Sequence, residues 1–125
     1  MDSKRENLIV QLTTDFAVKV VAFHFKIKKA GVIPMANQIF KSGTSIGANV
    51  REAQNAESKS DFIHKMKIAA KEADETEYWI QICERSPFLP DPSELKTEIT
   101  SICRVLTKII SSSKINSSNF QLKNN

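Results

Sequence analysis

The chain is poor in the residues from which most active sites are built. It has two histidines in 125 residues, His24 and His64. They lie on separate segments, and neither has a second ligand four residues away, which argues against a zinc site. The two cysteines, Cys83 and Cys103, sit inside apolar periodic stretches and read as small core or boundary residues, not as a disulfide framework. No Gly-rich phosphate loop, nucleophile elbow or Glu-x-x-His pair of a di-iron bundle is present. No catalytic residue, metal or cofactor is therefore assigned. Three glycines and four prolines leave long uninterrupted segments, which favours helices over a turn-rich β-fold. No unbroken apolar run approaches the ~20 residues of a membrane span. The opening Met-Asp-Ser-Lys-Arg-Glu lacks the apolar core of a signal peptide. A cytoplasmic protein without a membrane partner is expected.

What is present is a globular composition, 41% hydrophobic, with 18 Lys and Arg against 14 Asp and Glu. The net charge of +4 is unevenly spread: residues 1–30 carry six basic and three acidic groups, residues 58–85 five and six. Such a surplus forms either ordinary solvated helix faces or a basic patch for an anionic partner.

Apolar spacing predicts four helices, at about 4–30, 35–56, 59–85 and 92–112. In the first, Leu12, Phe16, Val20, Phe23 and Ile27 recur at three- and four-residue steps. Leu8, Val18, Val21 and Phe25 widen that stripe towards a second neighbour. Gly31 suits a left-handed cap, and Pro34 suits the start of the next helix. The second helix should turn inward Ala36, Ile39, Phe40, Gly43, Ile46, Gly47, Val50 and Ala53. Each helical glycine costs roughly 1 kcal/mol against alanine, so Gly43 and Gly47 predict a close neighbour. In the third helix Phe62, Met66, Ala69, Ala73, Thr76, Ile80 and Cys83 form a heptad seam. Asp91-Pro92-Ser93-Glu94 opens the fourth, whose core face is Leu95, Ile99, Ile102, Leu106 and Ile109. Short connections then give an all-α, antiparallel up-down-up-down four-helix bundle over residues 1–113. The Ser-, Lys- and Asn-rich residues 114–125 read as a disordered tail.

Three sets of residues are candidates for function. Lys19, Lys26, Lys28, Lys29, Lys41 and Arg51 could contact phosphates; Lys26, Lys28 and Lys29 equally suit the dipole of a helix end. Glu75, Tyr78, Trp79 and Ile82 lie off the seam and suggest a subunit interface, or in the case of Trp79 a cap on the core edge. Ser45, Asn49, Arg51, Glu52 and Glu72 suggest a polar network that fixes the hairpin of the second and third helices. Glu72 and Glu75 share a face, which suits either acid–base work or pairing with Lys71, Arg51 or a neighbouring subunit's lysines.

Ser45-Ile46-Gly47-Ala48-Asn49-Val50-Arg51-Glu52, Phe62-Ile63-His64-Lys65-Met66-Lys67-Ile68-Ala69 and Lys71-Glu72-Ala73-Asp74-Glu75-Thr76-Glu77-Tyr78-Trp79 together resemble the bacterial four-helix-bundle proteins called 23S rRNA intervening-sequence proteins. The likeness covers about residues 8–112. It implies a bundle of poorly defined role. Through the related accessory protein of diversity-generating retroelements, it also implies a homopentameric ring that associates with RNA or DNA and with a protein partner. The runner-up is a protein-interaction scaffold without nucleic acid.

Overall fold

Segments free of breakers become four helices: α1 Ser3–Lys29, α2 Ile33–Gln54, α3 Lys59–Arg85 and α4 Ser93–Asn124. The computed structural model describes the backbone of residues 3–124 and the side chains of residues 8–115. Each helix packs on its neighbours in the chain, and α4 closes back onto α1. Among the described residues the diagonal pairs, α1 with α3 and α2 with α4, do not meet. That is an up-down-up-down square, as the short connections require.

The turns explain the boundaries. Gly31 takes φ 89°, open to it because it lacks a Cβ. The Gly31 amide donates to the Lys28 carbonyl at 2.9 Å and the Val32 amide to the Ile27 carbonyl at 3.3 Å, a Schellman closure of α1. Pro34 lies in the first turn of α2, where its missing N–H costs little. Ser58 caps α3 by accepting from the Asp61 amide at 3.0 Å. Before α4, the Asp91 carboxylate accepts from the Ser93 amide at 3.2 Å and from its hydroxyl at 2.6 Å.

The core follows the predicted seams. Phe16, Val20, Phe23 and Ile27 of α1 are buried, as are Met66, Ala69, Ala73, Ile80 and Cys83 of α3 and all five predicted residues of α4. Leu12 and Phe62 are half-buried at its edges. Ile9 and Thr13 extend the α1 stripe, and the Thr13 hydroxyl donates to the Ile9 carbonyl at 2.7 Å.

Three expectations differ from what is seen. Phe40 does not point inward; it is 39% exposed and lies against His24, because the core row of α2 runs through Ser42 instead. Val18 and Phe25 are not packed into a second helix contact; they are 66% and 61% exposed, with Val18 at the rim of a groove between α1 and α4. The backbone of α4 runs on to Asn124, past the residue-112 stop. Residues 93–124 contain no Gly or Pro, and Ser113 is still buried, so nothing there ends the helix. Of the expected tail, Asn125 and the side chains beyond Ile115 lie outside the described residues.

The glycines of α2 face α1. A Cβ at Gly43 would stand 2.8 and 2.9 Å from the two Val20 methyls, and one at Gly47 would stand 3.3 Å from the Thr13 carbonyl oxygen. On the other side of α2, the buried Ser42 and Thr76 hydroxyls lie 2.9 Å apart and share a hydrogen bond that fixes the register of α2 on α3. The Thr76 hydroxyl also reaches the Glu72 carbonyl at 2.7 Å. Leu8–Lys29 has the length and apolar content of a spanning helix. Here it forms one side of the bundle and carries Asp15, Lys19 and Lys26.

Candidate nucleic-acid interface and interaction faces

The six cations singled out from the sequence do not form one patch. Lys26, Lys28 and Lys29 are exposed together at the end of α1. Lys19 lies between α1 and α4, paired with Glu98 and, at 3.1 Å, with Glu94. Hydrogen bonds to Glu98 and then Glu94 raise its pKa. It lines a groove of about 370 Å³ with Leu12, Asp15, Val18 and Glu98. Lys41 faces α3, where it acts on Glu72. Arg51 is exposed near the far end of α2, some eighteen residues, or roughly 27 Å of helix, from the α1 end. Periodicity shows which face a lysine occupies, but not which acids a non-neighbouring helix brings to it.

The expected polar network is not formed among the described residues. The Ser45 hydroxyl donates to the Lys41 carbonyl at 2.6 Å and the Asn49 amide to the Ser45 carbonyl at 2.9 Å, both within α2. Helical side chains of this length find their own i−4 carbonyl before they reach a neighbour. Arg51 makes no ion pair among the described residues. Glu52 instead pairs across the hairpin with Lys65 at 3.2 Å. The buried polar contact between α2 and α3 is Ser42–Thr76. Thr76 stood in the seam from the outset, whereas Ser42 carried no signal beyond its place one step from Gly43.

Glu72 is half-buried, and its pKa is raised by desolvation first and by the nearby Glu75 second, with Lys41 opposing. Neither carboxylate reaches Lys71 or Arg51 within ion-pair distance among the described residues. Burial pushes both thiols up, Cys83 to about 11 and Cys103 to about 11, with Glu77 and Asp74 adding to the effect at Cys103. The Cys103 thiol donates to Glu77 at 3.8 Å. Among the described residues no three His, Cys, Asp or Glu side chains come together in a way that could hold a metal ion. His24 is buried, its Nδ1 3.4 Å from the Val21 carbonyl and its ring 4.8 Å from those of Phe25 and Phe40. His64 is exposed.

The suggested subunit interface is part surface and part core. Tyr78 is 56% exposed and Glu75 is exposed, while Trp79 and Ile82 are half-buried. Trp79 packs against the core with its ring 5.1 Å from Tyr78, and its buried indole N–H has no partner among the described residues. The larger apolar exposure is one the sequence reading placed inside the chain: Leu8, Val18 and Phe25 of α1, with Phe40 of α2. Of these, Phe25 and Phe40 both lie against His24, and Val18 is two turns before Phe25 on the same side of α1, whereas Leu8 is near the other end of the helix.

Fold and faces define a basic, all-α four-helix bundle whose described residues form no metal cluster. A family model, 23S rRNA-intervening sequence protein, matches residues 5–108, and the chain belongs to that family. Its structure is similar to the crystal structure of a protein of unknown function from the S23 ribosomal protein family of Bacteroides thetaiotaomicron. The two are 38% identical with a TM-score of 0.80, over 86% of this chain and 98% of that one. No curated protein matches the chain.

Proposed function

We propose that this protein is a non-enzymatic, homo-oligomeric bundle of the cytoplasm that associates with RNA or DNA through its basic surface. The observation that carries this reading is the state of the positive surplus. Among the described residues, ion pairs engage only Lys19, Lys65 and Lys96, and every other described lysine and arginine is exposed. Cations left without acidic partners attract phosphate and release its counterions on contact. Phosphate contacts of this kind hold a nucleic acid without reading its sequence. A ring of subunits, pentameric by family resemblance, would multiply a modest patch into useful avidity.

The test is binding of nuclease-treated, size-verified protein to labelled single- and double-stranded RNA and DNA at two salt concentrations. Binding that weakens smoothly with salt is expected. No binding at low salt overturns the reading.

A second reading, a protein-interaction scaffold, is favoured by the outward apolar groups Val18, Phe25 and Tyr78. It predicts a monodisperse assembly that binds no nucleic acid. Its interface would be lost on Phe25→Glu or Tyr78→Glu with the helical fold intact.

A further inference from the structure

We propose that the phosphate backbone of a bound nucleic acid lies on the α3–α4 face, across the end of the bundle where the first half of α3 runs beside the second half of α4, with Lys67 and Lys114 at its centre. This rests on the nucleic-acid reading above and gives it a place that the sequence reading did not choose.

The charge pattern starts in the sequence. Residues 99–125 contain no Asp or Glu, yet carry Arg104, Lys108, Lys114 and Lys123. The first half of α3, Lys59–Lys71, carries Lys59, Lys65, Lys67 and Lys71 against the single Asp61. The fold then brings these two segments side by side. The Lys96–Glu84 pair at 2.6 Å and the Cys103–Glu77 contact at 3.8 Å set an antiparallel register in which each step back along α3 is a step forward along α4. In that register Lys67 meets Lys114.

The two ammonium groups are close enough that Lys67 lowers the pKa of Lys114. Both are exposed, and among the described residues neither has a carboxylate within ion-pair reach. Two like charges held together without an acid are relieved by an anion between them. Next to them is a shallow depression of about 370 Å³ lined by His64, Lys67, Ile68, Ala70 and Lys71. It offers two further donors, His64 and Lys71, around an apolar floor, which suits a phosphate and its sugar. Lys108, six residues before Lys114, is exposed about a third of a turn round α4, so it adds charge to this end without sitting beside the pair. Apart from Asp61 in the first turn, the acids of α3 lie from Glu72 onward, and Glu77 and Glu84 are already engaged by α4. A polyanion laid across Lys67 and Lys114 therefore meets no acidic side chain on α4 beyond Glu98 and, on α3 between Asp61 and Glu72, none at all.

The experiment compares the full-length protein with two double charge reversals, Lys67→Glu/Lys114→Glu and Lys28→Glu/Lys29→Glu. The probe is a fluorescein-labelled single-stranded RNA of mixed sequence, titrated at low and moderate salt. Because both pairs are exposed, circular dichroism and size should be unchanged. A milder Lys67→Gln/Lys114→Gln variant guards against misfolding. The α3–α4 reversal should weaken binding about tenfold or more at low salt and reduce the salt slope by about two, with the Gln pair intermediate. The α1 reversal should change affinity by less than about threefold. If only the α1 reversal weakens binding, this placement is overturned while the nucleic-acid reading stands. If the unaltered protein does not bind RNA at low salt, both are overturned. Binding to anionic phospholipid vesicles without binding to RNA would assign the face to a membrane surface and overturn the placement as well.

Discussion

Substituting alanine for Gly43 tests the close approach of α1 and α2 directly. The added methyl would arrive 2.8 and 2.9 Å from the Val20 methyls, where ordinary carbon contacts lie at about 3.5–4.0 Å. Val20 is fully buried and, being β-branched, holds one strongly preferred rotamer in a helix, so it cannot swing aside. The two helices must separate by a sizeable fraction of an ångström along a packed seam. Overpacking of this kind costs about 1–3 kcal/mol. Alanine returns about 1 kcal/mol of helix propensity. The net expectation is a loss of about 0–2 kcal/mol for Gly43→Ala, in place of the gain that propensity alone would give. Gly47→Ala should be milder, since its Cβ would stand 3.3 Å from the Thr13 carbonyl oxygen and needs only a small adjustment. Val20→Ala in the same chain removes both clashing methyls and should show a favourable coupling of about 1–2 kcal/mol with Gly43→Ala. Urea denaturation followed by far-ultraviolet circular dichroism, at one fixed protein concentration, measures the unaltered protein, the three single variants and the double variant. A Gly43→Ala protein that gains the full propensity term, with Val20→Ala strictly additive to it, would refute the close approach.

Further outcomes follow from the buried polar and titratable groups. Ser42→Ala should lower stability by about 1 kcal/mol, and Thr76→Val by about 1–3 kcal/mol because it strands a buried hydroxyl, both read from urea midpoints. Glu72 has a raised pKa in the fold, so folding disfavours its charged form. The stability it supports is fullest below the ordinary carboxylate range and is lost as pH rises through its folded pKa. Glu72→Gln should therefore gain stability relative to the unaltered protein at about pH 7 and show little difference at about pH 4. An equal difference at both would contradict the desolvated site. With both thiols at about 11, Cys83 and Cys103 should alkylate at neutral pH about a hundredfold more slowly in the folded protein than after unfolding. Equal rates would show that the thiols are not in this environment.

The sequence by itself determined the four helices and the core rows. Helix period, capping residues and turn chemistry are local, so Gly31, Pro34 and Asp91 mark boundaries that the fold keeps. It also located a close contact at Gly43 and Gly47, because two glycines within one helix need a reason. Only the tertiary structure decided that this contact is with α1, that Ser42 and not Phe40 faces the interior, and that Lys19 is neutralised by Glu94 and Glu98. The same packing placed Lys67 beside Lys114, residues forty-seven apart in the chain. Those outcomes depend on which faces of non-adjacent segments meet and in what register. Charge and exposure are properties of that meeting, set by the burial of all four apolar faces at once, and no window of sequence contains them.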